Sequence, residues 1–100
     1  MANKAQEIKV RFPEELQGGV YANHMVVAHS KEEFIMDFLM VAPPVGAVTS
    51  RVIISPGHMK RIIKALQKNV EIYEKEFGMI EEAKEPKGKI GLIAPPAQPA

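Results

Sequence analysis

Apolar positions along this chain follow two different periods. From Met59 to Phe77 they fall at Met59, Ile62, Ile63, Leu66, Val70, Tyr73 and Phe77, three and four residues apart, which gathers them into one stripe of an α-helix. The flanking residues agree. Ser55 is placed to cap the first free N–H groups, and Pro56 stands at the first helical position, where its missing N–H costs nothing. Gly78 can take the left-handed turn that ends a helix. The pattern predicts a helix over Ser55–Gly78 whose stripe another element must cover.

Upstream the period is two. Ile8, Val10 and Phe12 alternate with Lys9 and Arg11, so Glu7–Phe12 reads as a half-buried strand that Pro13 ends. Glu14–Gly19 is a loop. Tyr21–His29 and Glu33–Val41 are rich in strand formers and are separated by Ser30, Lys31 and Glu32, which predicts a hairpin turning near Ser30–Lys31. A helix capped by Ser30 competes for residues 31–41, but Phe34, Met36, Phe38 and Met40 alternate cleanly and favour a strand. Pro43 and Pro44 break that run, Gly46 allows a sharp return, and Ala47–Ile54 leads as a strand into the helix.

The expected fold is α+β: a four-stranded antiparallel meander sheet followed by one long C-terminal helix packed on one face. Residues 1–6 are a flexible N-terminus and residues 7–78 a single sheet-plus-helix domain. Residues 79–100 are a Pro-rich accessory tail, in which Ile90, Leu92 and Ile93 offer one short candidate strand.

Turn lengths imply a register. A turn centred between Ser30 and Lys31 puts His24 opposite Asp37, and a turn centred on Pro44 puts Asp37 opposite Arg51. His24, Asp37 and Arg51 then form one polar row. The opposite face collects Met25, Val27, Phe34, Met36, Phe38, Met40, Val48, Val52 and Ile54, a natural bed for the helix stripe. The row's own face also carries Val26, Ile35, Leu39 and Ile53, more apolar surface than is usually left in water. A carboxylate between an imidazole and a guanidinium can hold a histidine for acid–base work, but no nucleophile accompanies it. The plainer reading is a charged row satisfied at a subunit interface.

Composition narrows the classes. A chain of 100 residues builds at most one small core, and the absence of cysteine removes disulfides and thiolate metal sites. Three histidines without ligand spacing leave no metal site to propose, and no cofactor motif is present. Oligomerisation is the remaining route to stability. The net charge of +1 gives no global attraction to nucleic acid or membrane. No apolar run approaches the roughly 20 residues that span a bilayer, and the N-terminus lacks a signal-peptide core, so the expected location is cytoplasmic, with no membrane partner.

Charge along the helix is ordered against its dipole. Ser55, Gly57, His58, Lys60, Arg61 and Lys64 surround the N-terminal N–H groups, a candidate anion-binding cluster that Lys68 extends. Glu71, Glu74 and Glu76 fill the C-terminal half. Three readings fit: a solvated face, a basic half that binds nucleic acid, or an antiparallel contact with the same helix of a second subunit, where each basic half meets an acidic half.

The strings YANHMVVAHSKEEFIMDF and RVIISPGHMKRIIKALQKNVEIYEKEFG, with Pro43–Pro44 between them, resemble the bacterial and archaeal family known as domain of unknown function 3467. Its marks here are Tyr21–Ala22–Asn23, Ser30, Glu33–Phe34, Asp37–Phe38, Arg51–Val52, Ser55–Pro56, Asn69, Tyr73–Glu74 and Phe77–Gly78. The resemblance implies that these residues form one module with accessory tails, and it brings no activity with it. The functional expectation is a non-enzymatic homo-oligomeric interaction module. The alternative is a nucleic-acid-binding protein using the basic half of the helix, and an enzyme comes third.

Overall fold

The computed structural model describes residues 5–83. Three strands, β1 (His24–His29), β2 (Phe34–Ala42) and β3 (Val45–Ile54), form an antiparallel meander in the order β1-β2-β3, and one helix, α1 (Pro56–Phe77), comes after them. Two compact units divide the chain, Met1–Ala65 with the sheet and Leu66–Ala100 with the second half of α1.

The sheet has three strands and not four. Ile8, Val10 and Phe12 lie in a segment without regular structure and are 76%, 83% and 63% exposed. Alternation prepares a segment to have two faces, but a strand also needs a neighbour's backbone, and among the described residues nothing pairs with 7–12. A single 3-10 turn, Glu14–Leu16, and Gly19 at φ +70° carry the chain on towards β1. The strand proposed within the tail at Ile90–Ile93 lies outside the described residues.

The first hairpin turns one residue later than its composition suggests. Ser30 N–H donates to the Glu33 carbonyl at 2.9 Å, and the Ser30 hydroxyl accepts from the N–H groups of Glu32 and Glu33 at 3.2 Å each. That serine holds a four-residue loop, Ser30–Glu33, where a tighter turn was expected. His29 therefore pairs with Phe34, their rings 5.5 Å apart, and every β1 residue meets a β2 partner two places beyond the expected one. The second hairpin turns at the cis Pro43–Pro44 bond, with Ala42 opposite Val45, so it is centred between the two prolines and not on Pro44 as expected. Gly46 faces Val41, where a Cβ would press on the Val41 side chain at 3.2 Å.

An irregularity between Phe38 and Leu39 pairs Phe38 with Ser50 but Leu39 with Val48. Thr49 is the extra residue, and its hydroxyl donates to the Phe38 carbonyl at 3.1 Å. With the bulge between them, Val48 shares the face of Asp37 and Arg51, where strict alternation back from Arg51 puts it on the apolar face.

Both ends of α1 are closed as the sequence predicts. The Ser55 hydroxyl accepts from His58 N–H at 3.2 Å, and Met59 N–H donates to the Ser55 carbonyl. At the other end Gly78 adopts φ +97° and its N–H donates to the Glu74 carbonyl, while Ile80 N–H donates to Glu74 Oε2 at 2.9 Å. No residue of α1 is buried: Met59 and Ile62 are half-buried, and Ile63, Leu66, Val70, Tyr73 and Phe77 stand exposed. Among the described residues only Met36 and Val41, both on the central strand, are buried.

Candidate functional site

The mixed sheet face is built around Asp37 and Arg51, which β2 and β3 place directly opposite each other. Arg51 Nε–H donates to Asp37 Oδ1 at 2.7 Å and Nη2 donates to Oδ2 at 2.9 Å, a two-point fork that uses both carboxylate oxygens. The Asp37 side chain is 18% exposed and that of Arg51 60%. Arg51's hydrogen bonds, with its positive charge beside them, hold the Asp37 carboxyl below the usual carboxylate range against a smaller opposing effect of burial. The same bonds raise the guanidinium's own value.

His24 does not join this pair, so the expected row is corrected. It sits opposite Leu39, and Val26 occupies the place facing Asp37, because the longer Ser30–Glu33 loop slides β1 by two residues. Alternation keeps His24 on the same face, but its partner is local: Nδ1 lies 3.0 Å from Asn23 Oδ1. Asn23 fixes the direction of that bond. Its Oδ1 accepts from Val41 N–H at 2.8 Å and its Nδ2 donates to the Val41 carbonyl at 2.9 Å, so the oxygen side is an acceptor and His24 Nδ1 carries the proton. With the carboxylate forked to arginine and the imidazole held by an amide, His24 is not oriented by Asp37 as a general base.

Asn23 is the residue that sequence reasoning passed over. Its carboxamide offers the same donor and acceptor as a peptide group, and it uses them on Val41, one of the two buried residues among those described. Its own backbone N–H donates to the Leu39 carbonyl at 2.9 Å. The side chain thus extends the β1–β2 ladder one step before β1 begins. Local spacing gives no signal for it, because Val41 lies 18 residues away and Asn23 falls inside the run Tyr21–His29.

The cluster at the start of α1 is partly satisfied internally. Ser55 caps His58, and Arg61 Nη2 donates to His58 Nδ1 at 2.9 Å. Gly57, Lys60 and Lys64 are exposed beside them. Among the described residues no group of three His, Cys, Asp or Glu side chains is placed to hold a metal ion, and no helix is long and apolar enough to cross a membrane.

Residues 1–82 match the model of a family described as "Protein of unknown function (DUF3467)". No curated protein and no solved structure matches the chain. The match covers most of the sequence, and the chain belongs to that family.

Proposed function

We propose that this member of the DUF3467 family is a non-enzymatic interaction module that works as a homo-oligomer. The observation that carries the reading is the imbalance between apolar surface and cover. Met36 and Val41 are buried, while Met25, Val26, Val27, Val52 and Ile53 on the sheet and Ile63, Leu66, Val70, Tyr73 and Phe77 on the helix are exposed. Apolar surface on this scale in a small domain is ordinarily covered by another molecule. Among the described residues both sheet edges are open as well, since β1 and β3 each pair on one side only. Arg51 forked to Asp37 gives the mixed face a two-point ion pair that a second subunit can pack around without stranding the carboxylate.

Sedimentation velocity over a hundredfold range of protein concentration tests this. A species of twice the chain mass or more is expected at the upper end, and a monomer at every concentration overturns the proposal. The nucleic-acid alternative draws on the exposed Lys60, Lys64 and Lys68 along the helix. It calls for binding to short DNA or RNA that weakens steeply with salt, and binding that is absent at low salt removes it.

A further inference from the structure

Resting on the homo-oligomer reading, we propose that α1 pairs with α1 of a second copy as an antiparallel two-helix coil centred on Lys68. The stripe, half-buried at Met59 and exposed from Ile63 onwards, is more regular than amphipathicity alone requires. Met59, Ile63, Leu66, Val70, Tyr73 and Phe77 succeed one another at steps of four, three, four, three and four, the heptad spacing that keeps one seam facing a partner helix. Ile63, Val70 and Phe77 take one core position of the repeat, and Met59, Leu66 and Tyr73 the other.

In an antiparallel pair the two kinds of core position meet each other. One register uses all six: Met59 meets Phe77 of the second copy, Ile63 meets Tyr73, and Leu66 meets Val70. Sliding by one heptad in either direction leaves two of the six without an opposite number. Charge selects the same arrangement. Lys60, Gln67 and Glu74 flank the seam on one side, and in this register Lys60 lies against Glu74 of the second copy at each end, with the two Gln67 side chains meeting at the centre. Glu74 Oε2 already accepts from Ile80 N–H, which holds the carboxylate in place at the helix end and leaves Oε1 for the lysine. On the other flank Ile62 meets the Glu76 stem, and Asn69 meets Asn69. A parallel pair sets Ile62 against Gln67 and Asn69 against Glu74, and forms no ion pair along the seam.

The arrangement also accounts for the charge order that opposes the dipole of α1. In an antiparallel pair each basic N-terminal half lies beside the C-terminal, negative end of the other helix, and each acidic half beside the other's positive end. What is unfavourable within one chain becomes complementary between two.

The chain has no cysteine, so single cysteines for spin labels can be placed at Arg61, Lys68 and Lys75, three exposed positions on the side of α1 opposite the seam. Dipolar distances are then read in the full-length protein at a concentration where sedimentation gives the oligomer. The expected result is a minimum at position 68 and longer, mutually similar distances at 61 and 75, each pair being offset by about 21 Å along the axis at 1.5 Å per residue. Equal distances at all three positions would mean parallel pairing and overturn the proposal. An oligomer whose labels are too far apart to couple at position 68 would also overturn it, placing the contact on the sheet and leaving the oligomer reading intact. A monomer under the same conditions removes both.

Discussion

Asn23 shows how much one side chain can settle. Its amide does the work of a peptide group for Val41, and its oxygen also sets the tautomer of His24. Removing it leaves a buried residue's N–H and C=O without their partners. Asn23→Ala should therefore cost about 1–3 kcal/mol, read as a lower midpoint in urea denaturation. Asp37 and Arg51 make a pH-dependent contribution whose sign is fixed. The Asp37 carboxyl is held below its unfolded value of about 3.9, so its contribution is present above that value and is lost as the pH falls through the lower folded one. Melting temperature measured from neutral pH downwards should fall less steeply in the acid range for Asp37→Asn than for the native chain. Equal slopes would mean that the fork adds no acid sensitivity. Such side-chain bonds are the hardest features to read in a sequence. A turn centred on Pro44 puts Asp37 opposite Arg51, but the turn is centred between Pro43 and Pro44, and the extra residue Thr49 is what brings Arg51 opposite Asp37. The partner of His24 depended on where a distant serine hydroxyl closed a loop.

At the scale of elements, local signals were the ones that carried. The α1 helix starts at its serine cap and proline and stops at a glycine with positive φ, because each of those instructions is written within a turn of where it acts. Replacing Ser55 by alanine removes the acceptor for His58 N–H and should cost about 1 kcal/mol, visible as a lower thermal midpoint with the same helical signal at low temperature. The Ser30 hydroxyl accepts from two succeeding N–H groups much as a helix cap does, yet the next element is the strand β2, since Phe34, Met36, Phe38 and Met40 carry a strand period. The bulge at Thr49 has no such local signature; the turn between Pro43 and Pro44 sets Val48 opposite Leu39, and the bulge then brings Arg51 opposite Asp37. Glu7–Phe12 failed for the opposite reason: its alternation is real, but pairing is a property of two segments and only one was visible. Many residues that carry the family resemblance, among them Asn23, Ser30, Asp37, Arg51, Ser55 and Glu74, turn out to make the side-chain bonds that shape turns, caps and the ladder.

For the whole molecule the decisive quantity is what a single copy leaves uncovered. The sequence predicted both an apolar sheet face and an apolar helix stripe, and the simplest inference was that one covers the other. Ile63, Leu66 and Phe77 are exposed, and under the helix-pairing proposal a second α1 covers them.

The scarcity of buried side chains, Met36 and Val41 alone among the described residues, has a consequence for how the protein is governed. A chain that completes its core internally melts at a temperature independent of how much of it is present. One that completes its core by association melts at a temperature set by mass action, so that dilution alone can unfold it. Calorimetry at two concentrations a hundredfold apart should give a higher midpoint for the more concentrated sample, and coincident midpoints would show that each copy is stable alone. Under this behaviour the abundance of the protein becomes part of its folding equilibrium: below a threshold amount the cell holds unfolded chains open to proteolysis, and above it, assembled ones.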